Sequence, residues 1–99
     1  MEVSSSGKVA EKRSYAMGVY RRVEQLYLRG RPVYKHRDRD GYIHNGCKTG
    51  RWVIGSDYNV CGVWLQSAEN GKVRIEILGL NWQYKDGDKW ITDYTSKVE

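Results

Sequence analysis

Ninety-nine residues carrying 17 basic and 12 acidic side chains, a net charge of +5, limit the chain to one domain and exclude a large, multi-step active site. No apolar run approaches the roughly 20 residues of a membrane-spanning helix. The start Met1–Lys8 has no apolar core resembling a signal peptide, so the chain as written is expected to be cytoplasmic or nuclear, and secreted only if a leader has been removed.

In chain order, Met1–Lys12 has no apolar periodicity and is rich in Ser, Lys and Glu, which predicts a disordered tail preceding a single domain over 13–99. Residues 15–28 fit two patterns. Ala16, Val19, Tyr20, Val23, Leu26 and Tyr27 recur at helical spacing, with Ser14 as a cap and Gly30 as a stop. As a strand, Val19, Arg21 and Val23 share one face and Tyr20 and Arg22 the other. Gly18 weakens the helix, and the rest of the chain offers a sheet to join, so the strand is favoured.

From there turn signals recur at short intervals: Arg29-Gly30-Arg31-Pro32, Asp38–Gly41, Cys47–Gly50, Gly55–Asp57, Glu69–Lys72 and Lys85–Asp88. The stretches between them are rich in Val, Ile, Tyr and Trp, which suit a pleated, half-buried surface. Val73-Arg74-Ile75-Glu76-Ile77 alternates apolar with charged and is the clearest strand. The predicted fold class is therefore mainly β, a small antiparallel sheet, meander or barrel, with a short helix near 15–28 as the alternative. An Arg39-Asp40-Gly41 loop would set His36 opposite His44. Trp82 and Trp90, eight positions apart across the Asp86-Gly87 turn, are expected to be partly exposed cross-strand neighbours. Trp52 and Trp64 are expected inside.

Gly18-Val19-Tyr20, Arg29–His36, Tyr42-Ile43-His44, Arg51–Gly55 and Val63-Trp64 together resemble a small Tyr/Trp-rich β module found repeated or appended in multidomain proteins of invertebrates and protists. The resemblance covers residues 18 to about 66. It implies a compact antiparallel unit acting as a recognition or spacer domain, and it brings no catalytic residues. Trp82–Trp90 also resembles the opening of a WWE domain, an interaction fold, but the chain to Glu99 leaves no room for the rest of one.

The charge is uneven: residues 1–50 hold 11 basic and 5 acidic side chains, and the second half holds 6 and 7. Such a field draws nucleic acid, acidic protein or anionic lipid largely without sequence information. Chemistry for catalysis is thin. The chain has no Gly-x-Ser-x-Gly and no glycine-rich loop opening a helix, and its carboxylates sit mainly at turn tips. His36, His44, Cys47 and Cys61 supply the donor types of a structural zinc site, but their spacing fits no standard finger, and surface histidines with free thiols are preferred. Asp38-x-Asp40-Gly41 resembles part of a calcium loop, yet the twelfth ligand position falls on Cys47 rather than Glu. No enzyme activity, metal or cofactor is therefore expected.

What remains is recognition by polar-tipped rings, since the chain has eight Tyr, four Trp and no Phe. Such rings suit protein interfaces, sugar faces and unstacked bases alike. The leading expectation is a non-catalytic module that binds a protein or glycan through Tyr34, Lys35, Arg37 and Arg39, with Tyr34 facing solvent. The alternative is nucleic-acid binding through Arg21, Arg22, Arg29, Arg31, Lys35 and Arg37, and a third reading is a structural spacer.

Overall fold

A computed structural model of the chain describes residues 1–45, 50–59, 64–68 and 77–99. Nine strands appear among them: β1 (Glu2–Ser4), β2 (Gly18–Leu28), β3 (Arg31–His36), β4 (Tyr42–Asn45), β5 (Trp52–Gly55), β6 (Leu65–Ser67), β7 (Trp82–Asp86), β8 (Lys89–Asp93) and β9 (Lys97–Val98). A short helix α1 (Lys8–Lys12) and a 3-10 turn (Ser14–Ala16) separate β1 from β2. The sheet order is β8-β7-β6-β5-β4-β3-β2-β1-β9, an antiparallel meander that curls into a half-barrel. The mainly β class agrees with the sequence reading. Its choice of strand over helix for the 15–28 segment holds, with the helical tendency confined to the 3-10 turn.

Gly18 shows why β2 begins where it does. Its φ of +129° suits glycine, and a Cβ there would stand 2.7 Å from Nε2 of His36. Tyr20 is buried opposite His36, and its hydroxyl donates to the Ala16 carbonyl at 2.7 Å, tying the 3-10 turn to the strand. Burial pushes that phenol pKa up.

The first twelve residues depart from the disordered tail that their composition suggests. β1 pairs with both β2 and β9, and Val3 and Val9 are buried in the core. The Ser5 hydroxyl and Val9 N–H also donate to the Asp93 carboxylate near the other end of the chain. The domain therefore includes residues 1–12.

The β3–β4 hairpin also differs from expectation. Tyr34 pairs with Ile43 and Lys35 with Tyr42, and His36 N–H donates to Gly41 O at 2.7 Å. His36 thus faces Gly41, not His44, across a loop of residues 37–40. Asp38 is drawn out of the ladder because its N–H donates to Nδ1 of His36 at 3.0 Å.

The core gathers Tyr20, Ile43, Trp52, Ile54, Leu65 and Trp82, joined by Val3, Val9, Leu80 and Val98. Trp52 is inside as expected, and Trp64 packs half-buried against the core. Trp82 corrects the sequence reading: it is fully buried and stands opposite Asp93, while Trp90 pairs with Lys85. The turn holds two residues between the paired Asp86 and Lys89, so facing residues are always an odd number of positions apart and residues eight apart cannot pair. Of the strand expected at 73–77, only Ile77 lies among the described residues, where it is buried. Cys47 and Cys61 lie outside the described residues.

Candidate functional site

β2 and β3 form a hairpin that concentrates the charge of the molecule. Residues 18–39 contain seven basic side chains and two acidic ones. The other 77 residues carry ten of each sign. The whole net charge of +5 therefore belongs to this hairpin and the first part of the loop that follows it.

The hairpin is irregular in two places. Its tip is a two-residue turn between Leu28 and Arg31 in which Arg29 and Gly30 both have positive φ, +52° and +74°, the type I′ arrangement whose twist matches paired strands. Arg29 there occupies a left-handed position that Asn, Asp or Gly fill more easily. Nearer the sheet, the pairing jumps from Arg22–Tyr34 to Tyr27–Pro32. Residues 23–26 thus stand opposite Val33 alone, and Gln25 takes a φ of +60°. This bulge walls an open cleft of about 430 Å3 lined by Arg22, Glu24, Gln25 and Tyr27.

The register puts Arg22 and Tyr27 on the same face as Pro32 and Tyr34. Arg22 lies over the Tyr27 ring, its guanidinium carbon 5.3 Å from the centroid, and its Nη2 donates to the Tyr27 hydroxyl at 2.5 Å. Tyr27 still exposes 54% of its surface. On the opposite face, Arg21, Lys35 and Tyr42 form one cross-strand row. Lys35 Nζ stands 5.9 Å from the Tyr42 ring centroid, and Tyr42 meets Tyr58 edge to face at 5.1 Å.

The four residues expected to bind a protein or glycan stand in different surroundings. Tyr34 is half-buried and leans on Trp52 with ring centroids 6.4 Å apart, so it is not a solvent-facing platform. Lys35 Nζ donates to the carbonyls of His36 and Arg39, both at 3.3 Å. Arg37 pairs with Asp38 at 3.3 Å and through that hydrogen bond holds the Asp38 carboxyl below its ordinary pKa. Arg39 is exposed. The six residues of the nucleic-acid alternative lie on both faces of the hairpin and at its ends. Arg21, Arg22, Arg29 and Arg37 are exposed, Arg31 and Lys35 are half-exposed, and among the described residues only Arg37 of the six is in an ion pair. Arg29 reaches the Asn45 carbonyl at 3.4 Å, and Nε of Arg31 is buried with no hydrogen-bond partner.

The histidines of the zinc reading serve the fold and are not surface residues. Both are buried. His36 Nε2 donates to Met17 O at 2.8 Å while Nδ1 accepts from Asp38 N–H, leaving no lone pair for a metal. His44 Nδ1 donates to Asn45 O at 3.2 Å, burial pushes its pKa down, and its Nε2 is buried without a partner. The cysteines proposed alongside them lie outside the described residues.

Sequence reasoning missed a second polar constellation, centred on Asp93. Its carboxylate accepts from the Ser5 hydroxyl at 2.5 Å, Val9 N–H at 3.0 Å, Thr95 N–H at 2.9 Å and the Thr95 hydroxyl at 2.6 Å. Burial pushes the carboxyl pKa up, but these donors, led by the Ser5 and Thr95 hydroxyls, outweigh it and hold the pKa at about 2. Gly7 is required beside it, since a Cβ there would sit 2.8 Å from an Asp93 oxygen. The residues are up to 88 positions apart; the only local signal is Asp93-x-Thr95, the pattern of a side chain capping its own turn.

The fold and its charge define a small antiparallel β domain with a basic, bulged hairpin. Compared with known protein families, curated proteins and solved structures, the chain matches none. Among the described residues, no helix is long and apolar enough to cross a membrane.

Proposed function

We propose that the chain is a non-catalytic recognition domain that binds a polyanion along the β2–β3 hairpin. The observation that carries this reading is the confinement of the net charge to residues 18–39, where six of the seven basic side chains are Arg. Arginine's planar fork suits the bidentate capture of phosphate, sulfate or carboxylate groups. A neutral-glycan platform is less well supported, because Tyr34 packs on Trp52 and Trp52 and Trp82 belong to the core.

The test is retention on heparin and on single-stranded oligonucleotides as salt is raised. Binding should weaken steeply with salt, and the Arg21→Glu/Arg29→Glu/Arg37→Glu variant should elute far earlier while keeping its circular dichroism spectrum. Failure of the wild-type chain to bind either matrix at low salt would overturn the reading.

A further inference from the structure

We infer that the cleft at the β2 bulge takes an unstacked nucleobase, which makes single-stranded nucleic acid the polyanion this hairpin recognises. The inference rests on the polyanion reading above and narrows it. Charge alone treats a sulfated glycan and a nucleic acid alike; what separates them is an aromatic ring to stack on.

The hairpin offers such a ring at one described position. Tyr27 is more than half exposed, and Arg22 steadies it, lying over the ring and donating to its hydroxyl. A ring held in this way loses little entropy when a base stacks on it. Arg22 adds a planar cation, which itself stacks on bases and pairs with phosphate. The bulge makes the space: three extra residues of β2 and the left-handed backbone at Gln25 lift residues 23–26 out of the ladder, and strained backbone of this kind concentrates at ligand clamps. The resulting volume of about 430 Å3 falls within the roughly 300–1,000 Å3 typical of small-molecule sites. Glu24 and Gln25 on its wall supply acceptors and donors that match the amino and carbonyl edges of a base, and the exposed Arg29 at the hairpin tip, two residues beyond Tyr27, is placed for a neighbouring phosphate.

Fluorescence anisotropy can test this with two labelled single strands of equal length and charge, about 12 nucleotides each, one base-bearing and one abasic. The wild-type chain should prefer the base-bearing strand by about tenfold or more. Tyr27→Leu should abolish that preference while leaving heparin retention unchanged, and Tyr27→Phe, which keeps the ring, should retain most of it. Equal affinity of the wild type for the two strands, with heparin retention intact, would overturn this inference and leave the polyanion reading standing. A preference that survives Tyr27→Leu would overturn the assignment to this cleft, and loss of binding to both strands and to heparin would overturn both readings.

Discussion

Around Asp93 the polar groups turn toward one another. One carboxylate gathers two hydroxyls and two backbone N–H groups from opposite ends of the chain, and β1, α1 and β9 are held together as a result. Along the β2–β3 hairpin the arrangement is reversed: Arg21, Arg22, Arg29 and Arg37 are exposed, and the turn and bulge hold Arg29 and Gln25 in left-handed backbone. The contrast separates a region whose polar groups satisfy one another from a region that carries an exposed excess of positive charge.

The sharpest way to break this comparison is to exchange the effects of mutation. Asp93→Ala leaves buried donors unpaired, Val9 N–H among them, and should cost about 3 kcal/mol of stability, read by urea unfolding, with binding to heparin unchanged below the transition. Gly7→Ala acts on the same clasp from the other side. It forces a Cβ against the Asp93 carboxylate and should cost about 1–3 kcal/mol. The Arg21→Glu/Arg29→Glu/Arg37→Glu variant should do the opposite, leaving the unfolding midpoint nearly unmoved while lowering the slope of log affinity against log salt by about 2 for a single strand.

Acid titration sharpens the same division. The folded pKa of Asp93, about 2, lies below its unfolded value near 4, so the unfolded chain binds the proton first. The stability this carboxylate contributes is complete above about pH 5 and is lost as pH falls toward 2. Asp93→Asn should flatten that part of the stability profile. His44 adds an earlier decline. Burial depresses its pKa, so stability falls as pH drops below the ordinary histidine value of about 6.5, and His44→Gln should remove this component alone. The smallest effect is expected at the hairpin tip. Arg29→Asn places a residue suited to left-handed backbone in the turn and should raise stability by up to about 1 kcal/mol, offset in part by loss of the contact with Asn45.

Much of the sheet was legible in the sequence because its signals are local. Turn residues bracket the β-branched and aromatic runs, and Gly18 tips residues 18–28 from helix to strand. The parts that were not legible depend on distant partners. Met1–Lys12 has the composition of a tail, and distant partners make it part of the domain: β1 pairs with β2 and β9, and Ser5 and Val9 meet Asp93. His36 could not be placed from its hairpin alone, because the loop length follows from Asp38 N–H capping the imidazole. Trp82 was expected to be partly exposed and paired with Trp90 eight positions on, but the register sets it opposite Asp93 and the core encloses it. For the site, the six basic residues were visible as composition. The bulge that brings Arg22 and Tyr27 together was not, since nothing between Val23 and Leu26 marks a register shift; Gln25 takes its positive φ without the glycine that would have signalled it.

The central claim, that the charged hairpin is the recognition surface and the remainder its support, is most directly tested by titrating the 15N-labelled domain with a short single-stranded oligonucleotide at low salt and following backbone amide shifts. The largest changes should fall within residues 18–39, with residues 1–12 and 93–99 silent. Shifts centred on the Asp93 clasp or on β7 and β8, or no shifts at all, would contradict it.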